Sequence, residues 1–163
     1  MPNHIKLLKT FLKNLGYQQV KLKKSRTQHL LMKGFINDVP ANFLLDTGAG
    51  ATVMDLNHAE SFNVNYNKVE DDEAAGLSGE KMNMFESDDA KLNIDGFEIN
   101  EMKIRLIDMG PLNALLQVKK ANHIHCIVGA DILEKFVAVI DYNKRKMYLK
   151  NVEEIIYPLT QFF

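Results

Sequence analysis

The chain has 163 residues, of which 46% are hydrophobic, and its formal net charge is -1. This length fits one domain of ordinary size, and the apolar content is sufficient for a core, which excludes wholesale disorder. A net charge so close to zero argues against a chain that binds nucleic acid or a membrane surface as a whole.

The charges are distributed unevenly. Residues 1–34 carry eight lysines or arginines and no acid, whereas residues 55–101 carry thirteen acids against three lysines. We interpret both segments as solvated faces. The alternative is a basic patch for anionic lipid or RNA, but no aromatic residues interleave with the basic ones, so we expect neither nucleic acid nor membrane as a partner.

Cys126 is the single cysteine. One cysteine excludes an internal disulfide framework and fits a reducing compartment. The first residues show no signal-peptide pattern, and no apolar run approaches the length of a membrane span. We therefore expect a cytoplasmic protein.

The first predicted element is a helix over residues 3–15. Ile5, Leu8 and Leu15 recur at helical spacing, Asn3 is a plausible cap, and Gly16 is a stop signal. Lysines occupy the opposite face. We favour a helix that packs on the domain or on a partner subunit over one that lies in a membrane interface.

From residue 17 onward the pattern changes to short strands separated by turns. Asn37-Asp38 has good turn chemistry, and Asp95-Gly96 is a strong hairpin signal. Alternation or short apolar runs predict strands at residues 20–22, 30–36, 41–45, 52–54, 92–94, 97–99, 102–106, 124–128, 137–140 and 146–149.

The remaining segments contain few helix signals. Residues 56–62 and 131–136 suit short helices, and Gly110-Pro111 is predicted to open a loop. Many short strands with turns between them are typical of a small all-β barrel or sandwich.

One motif stands out for its chemistry. Asp46-Thr47-Gly48-Ala49 follows the apolar run at residues 43–45 and occurs once. An Asp at the end of a buried strand is held rigidly and could activate water. Catalysis of this kind needs two carboxylates that share one proton, and this chain supplies one. The motif therefore predicts both proteolysis and a homodimer.

A second segment strengthens this interpretation. Ile127-Val128-Gly129, followed by a short predicted helix, comes after the first motif in an all-β context. Together the two segments resemble the retropepsin-like aspartic peptidases, over roughly residues 28–150. The resemblance implies a closed acid-protease barrel, here with an N-terminal helix and one short helix in the C-terminal half.

The resemblance also implies roles for individual residues. Asp46 would be catalytic and act on peptide or protein substrates, with the second Asp46 supplied by the partner subunit. Thr47, Gly48 and Ala49 would support the active-site loop. Ile127, Val128 and Gly129 would form the strand that crosses beneath it.

A flap that closes over substrate is implied for the small, glycine-rich segment after the acidic run at residues 70–73. Its candidate substrate-binding residues are Gly76, Leu77, Ser78 and Gly79.

The dimer interface should differ from the retroviral one. Many retroviral enzymes carry an Asp and an Arg that form an ion pair at the positions of Gly50 and Ala130. Both halves of the pair are missing here, so cellular and bacterial relatives look closer. We expect residues 1–27 to form a helix and leading strand, residues 28–150 the protease domain, and residues 151–163 a tail that contributes to dimer contacts.

Two histidines close to Cys126 are candidate metal ligands. His123 and His125 share one face of a strand, but no further ligands follow at a suitable spacing. We interpret them as strand histidines near the surface and expect no metal and no cofactor. The alternative to an active enzyme is an inactive module of the same fold, used for oligomerisation or peptide binding.

Overall fold

The computed structural model describes residues 3–69 and 83–152. Within these residues lie three α-helices: α1 (Asn3–Asn14), α2 (Gly110–Val118) and α3 (Ala130–Lys135). The first half contains seven strands and a 3-10 turn (Leu56–His58): β1 (Gln18–Lys21), β2 (Lys23–Lys24), β3 (Leu30–Ile36), β4 (Val39–Leu45), β5 (Val53–Asp55), β6 (Asn67–Lys68) and β7 (Phe85–Ser87). Six more follow: β8 (Leu92–Ile94), β9 (Phe97–Ile99), β10 (Ile104–Ile107), β11 (Cys126–Val128), β12 (Val139–Asp141) and β13 (Lys146–Leu149).

The predicted hairpins form at the predicted turns. Asn37 and Asp38 join β3 to β4 with φ angles of 44° and 65°, and Asp95 and Gly96 join β8 to β9 with φ angles of 49° and 93°. Two consecutive residues with positive φ give a turn whose twist matches that of the flanking strands. Asn, Asp and Gly reach this region at low cost, so the local sequence determines these two registers.

The large sheet has ten strands, with the order β6-β7-β10-β5-β11-β4-β3-β8-β9, while β2 pairs with β3. Its centre is the strand β11, which runs parallel to β4 and antiparallel to β5. A second sheet of three strands has the order β1-β13-β12, so the start of the described chain pairs with its end. The fold is all-β, as the sequence predicted.

The central strands are covered on both faces. Phe43, Leu45 and Val128 point into the main core. Leu44 lies on the other face, in a second cluster that includes Leu116 of α2. This double burial explains why residues 43–45 form an unbroken apolar run instead of alternating with polar residues.

The loop predicted from Gly110-Pro111 is wrong, because helix α2 begins there. The helix is a second one in the C-terminal half, in addition to the predicted α3. Proline is tolerated in the first helical turn, where its missing N–H has no intrahelical acceptor. Gly110 N–H is instead held by the Asp108 carboxylate at 2.8 Å. Leu112 and Leu116, one turn apart, pack against the sheet.

The sequence also makes predictions for the N-terminal helix and the C-terminal tail. Helix α1 ends within one residue of the predicted position, and Gly16 follows with a φ of 85°. Leu12 of α1 is buried, which ties the helix to the domain. The C-terminal tail from residue 153 lies outside the described residues, so its part in a dimer stays a prediction.

Cys126 is completely buried in the core, and this burial raises the pKa of its thiol above the ordinary value. Among the helices that the structure describes, none has the length and apolar character needed to cross a membrane.

Candidate active site

Asp46 lies where β4 leaves the core. Its backbone N–H donates to Val128 O at 3.1 Å, which continues the parallel pairing of β4 with β11 by one residue. The residue before it, Leu45, is buried, whereas Asp46 is exposed. The strand therefore fixes the backbone of Asp46, and the carboxylate projects from a rigid base.

The turn itself orients this carboxylate. Gly48 N–H donates to Asp46 Oδ1 at 2.9 Å, and Ala49 N–H donates to Asp46 O at 3.2 Å. Thr47 and Gly48 are exposed. Among the described residues, no side chain forms a hydrogen bond with the Asp46 carboxylate, so Oδ2 is available to another group.

Position 129 requires glycine because a side chain there would overlap with neighbouring backbone atoms. A Cβ atom at this position would lie 2.6 Å from Ala51 C, 2.7 Å from Ala51 O and 2.8 Å from Ala49 O. These atoms belong to the backbone and cannot move aside as a flexible side chain would. The next residue, Ala130, donates its N–H to Ala49 O at 2.7 Å. The second motif thus packs directly against the loop that carries Asp46.

A side-chain link between the two motifs was not predicted. Thr52 is fully buried, and its hydroxyl donates to Asp131 Oδ1 at 2.6 Å while Asp131 Oδ2 accepts the Thr52 N–H at 2.9 Å. Thr52 Oγ1 also accepts the Gly129 N–H at 3.0 Å. The sequence indicated Asp131 only as a helix-start residue. A polar Thr directly before the apolar Val53 and Met54 was the available signal that a partner lies elsewhere.

Gly50 and Ala130 carry no charge and cannot form the ion pair found in many retroviral enzymes. The two segments are joined instead by the Ala130 backbone bond and by the Thr52–Asp131 pair. All of these contacts lie within one chain, so they brace the active-site loop without a partner subunit.

The predicted flap residues Gly76, Leu77, Ser78 and Gly79 lie outside the described residues. The strands on either side of the segment are described. β6 and β7 pair antiparallel, and Val69 N–H donates to Met84 O at 3.0 Å. The described strands that flank the segment therefore lie next to each other.

His123 and His125 precede β11, and the structure places a third histidine beside them. The ring centroids of His58 and His123 are 4.6 Å apart, and those of His58 and His125 are 5.2 Å apart. Burial, together with the neighbouring His123 and His58, lowers the pKa of His125 to about 4. The sequence offered no signal for the approach of His58, which comes from the 3-10 turn after β5.

With this geometry in place, comparison with known proteins defines the class. The sequence profile of a family described as aspartyl protease matches residues 32–132, which is more than half of the chain. The chain belongs to this aspartyl protease family. The matched range contains both motifs described above. No curated protein matches the chain by sequence.

Solved structures give the same fold. A retropepsin-like aspartic protease from Rickettsia conorii aligns with a TM-score of 0.50 at 20% identity, covering 83% of this chain and 91% of that one. The retroviral protease-like domain of Ddi1 from Leishmania major aligns with a TM-score of 0.54 at 19% identity, covering 76% and 90%. At these identities the likeness concerns the fold, and the chemistry of this chain is argued from its own residues.

Proposed function

We propose that the protein is a homodimeric aspartic endopeptidase in which each subunit contributes Asp46 to one active site. The observation that carries the proposal is the exposed Asp46 carboxylate on a rigid turn. Gly48 N–H occupies Oδ1, and no side chain of the described residues engages Oδ2. A single carboxylate in this setting has no acid partner of its own.

A second copy supplies the missing group. Two-fold symmetry brings identical surfaces together, so a dimer centred on the exposed Asp46, Thr47 and Gly48 would place two carboxylates side by side. Two carboxylates so close cannot both be ionised, and they share one proton. The ionised one acts as general base on a water, and the protonated one donates a hydrogen bond to the scissile carbonyl oxygen.

The surrounding residues have supporting roles in this proposal. Thr47 lies next to the carboxylate and would bond across the two-fold axis. Val128 and Gly129 hold the loop from below, through the Asp46 N–H bond and the close approach to Ala49 and Ala51. The segment at residues 74–79, which lies in the chain between the paired strands β6 and β7, would close over an extended peptide and exclude water. A cytoplasmic location is part of the same proposal.

Cleavage of an unstructured protein substrate by wild type and by Asp46→Asn tests the chemistry. We expect the variant to lose cleavage while its melting temperature stays within a few degrees of wild type, because Asp46 is exposed. Asp38→Asn is the matched control, since Asp38 is exposed in the turn at the far end of β4 and Asn tolerates its φ of 65°. Equal rates for wild type and Asp46→Asn would refute the proposal.

A mixing experiment tests whether the site is shared. After subunit exchange, equal amounts of wild type and Asp46→Asn form dimers of which about one quarter hold two aspartates. Activity should fall to about one quarter of that of the same total protein as wild type, whereas independent monomers would retain about one half. Mixing with Asp38→Asn controls for dilution and should leave activity unchanged.

The alternative, an inactive module for oligomerisation or peptide binding, predicts a different combination of results. Sedimentation would then show a dimer, or a labelled peptide would bind, without cleavage over a range of acidic and neutral pH.

Activity of the proposed enzyme should decline as pH rises through the upper macroscopic pKa of the dyad, because the shared proton is lost there.

A further inference from the structure

A cluster of histidines lies away from Asp46, at the other end of β11. His125 is adjacent to the start of β11, and His125 N–H donates to Asn42 O at 3.0 Å. Asp46 is four residues beyond Asn42 along the chain, or about 13 Å at about 3.3 Å per strand residue. The cluster is therefore separate from the proposed active site.

One nitrogen from each of His58, His123 and His125 can be chosen so that the three atoms lie within 4.8 Å of one another. A tetrahedral zinc ion with Zn–N bonds of about 2.0–2.1 Å needs its ligand nitrogens about 3.4 Å apart. A separation of up to 4.8 Å exceeds this value, so the side chains must rotate to coordinate an ion.

A buried carboxylate orients the first of these ligands. Asp55 is 1% exposed, and its Oδ2 lies 2.9 Å from His58 Nδ1. Asp55 also accepts the N–H of Met109 and the side-chain amides of Asn57 and Asn113. A carboxylate so surrounded by donors is held in place. It fixes the His58 proton on Nδ1 and leaves the Nε2 lone pair free, as in the carboxylate-histidine pairs behind zinc sites.

The second ligand borders open space. A cleft of about 480 Å³ is lined by residues that include Asp55, His58, Asn113 and His123. His123 is exposed, and His58 is half-buried. An ion can therefore reach the nitrogens from solvent, and a three-histidine set leaves a further coordination position on the open side.

Coordination by the third ligand, His125, would break one hydrogen bond. His125 Nδ1 accepts the Asn42 N–H at 2.9 Å, so a neutral His125 carries its proton on Nε2 in this arrangement. To coordinate an ion, its ring must turn about the Cβ–Cγ bond and release that hydrogen bond. One neutral hydrogen bond is a small loss beside the free energy of a metal-nitrogen bond.

We propose that His58, His123 and His125 form a binding site for a divalent transition-metal ion of the zinc class, with Asp55 as the residue that orients His58. Imidazole nitrogens suit zinc, cobalt, nickel and copper rather than magnesium or calcium. The site joins the turn after β5 to the segment before β11 and so braces the centre of the sheet. The sequence pattern gave no metal site because it did not bring His58 to the other two.

Cobalt binding to the full chain tests the proposal. The protein is freed of metal with a chelator and titrated with Co²⁺, whose visible absorption reports low-coordinate nitrogen ligation. Competition with a chromogenic chelator gives the zinc affinity. We expect one ion per chain and a melting temperature that rises with metal concentration, because a ligand that binds only the folded state stabilises it.

Three variants remove ligands while sparing the fold. His58→Asn keeps a donor for Asp55, His125→Asn keeps an acceptor for the Asn42 N–H, and His123→Ala truncates an exposed side chain. Each should weaken zinc binding by at least about tenfold and reduce the metal-dependent rise in melting temperature. Melting in chelator shows directly that each variant is folded.

His29→Ala is the matched control, because His29 is exposed and bonds Thr27 outside the cluster. It should bind like wild type, and so should Asp46→Asn, so this test does not depend on peptidase activity. Absence of the cobalt spectrum in wild type would overturn the proposal. Wild-type affinity in both His58→Asn and His123→Ala would overturn it as well.

Discussion

Substitution of Gly129 by alanine tests the contact between the two motifs most directly. The added Cβ would lie 2.6–2.8 Å from three backbone atoms, Ala51 C, Ala51 O and Ala49 O. These atoms belong to the loop that leads away from Asp46. The same segment also receives the Ala130 N–H at Ala49 O. The overlap can be relieved only by moving the loop or β11.

The size of the effect follows from this geometry. Forcing one extra carbon into a packed site costs about 1–3 kcal/mol, and contact with backbone on three atoms places Gly129→Ala near about 3 kcal/mol. For a domain of this size that corresponds to a fall in melting temperature of about 6–12 °C. Gly50→Ala is the matched control in the same loop. A Cβ at Gly50 would meet nothing within 4 Å, so its effect should stay within about 0.5 kcal/mol.

Thermal unfolding followed by circular dichroism, with both variants measured beside wild type, gives the comparison. Chemical unfolding supplies an independent free energy for each protein. Cleavage by Gly129→Ala should fall further than its stability loss explains, since the displaced loop carries Asp46. Equal melting temperatures for Gly129→Ala and Gly50→Ala would refute the reasoning, because the two variants differ in the predicted overlap.

Two further predictions concern hydrogen bonds. Thr52→Val keeps the shape but removes a hydroxyl that bonds Asp131 and accepts the Gly129 N–H, so unfolding measurements should show a loss of about 3 kcal/mol, most of which Thr52→Ser should restore. Ser87 Oγ donates to the Asp89 carboxylate and is the first cause of its lowered pKa, so Ser87→Ala should raise that pKa toward the ordinary value in an NMR titration. The stability from this bond is present above the ordinary carboxyl pKa and is lost as pH falls through the lowered one. An unchanged Asp89 pKa, or a Thr52→Val variant as stable as Thr52→Ser, would contradict these predictions.

The elements that the sequence predicted well are those whose signal is local. Asn37-Asp38 and Asp95-Gly96 specify turns with positive φ, and each turn sets the register in which the strands on either side pair. Asp46 at the end of an apolar run and Gly129 at the end of another were visible for the same reason. Each motif can be recognised without knowledge of what lies next to it.

Helix α2 was missed because its signal is not local. Gly110-Pro111 is a typical loop opening, and proline marks either a break or a first helical turn. Helix α2 forms here because it buries the apolar side chain of Leu44 on the outer face of β4. The unbroken apolar run at residues 43–45 contained this information, since a strand with one wet face would alternate.

The side-chain partnerships were beyond the sequence for a related reason. Thr52 contacts Asp131, and His58 lies beside His123 and His125, because β11 lies next to β5 in the sheet. The spacing of these residues along the chain does not indicate that they contact each other. The identity of the polar residue indicates that a partner is needed, but it does not indicate which one.

Strand β11 connects the proposed metal site to the proposed active site. At its end, Val128 O holds the Asp46 N–H, and at its start His125 lies against Asn42. Between them β11 pairs with a neighbour on each side, so it cannot slide without breaking both registers. An ion bound at the start of the strand would therefore act on Asp46 by stabilising this shared strand. It would not contact the carboxylate, because Asn42 and Asp46 lie about 13 Å apart along β4 at the rise of a strand.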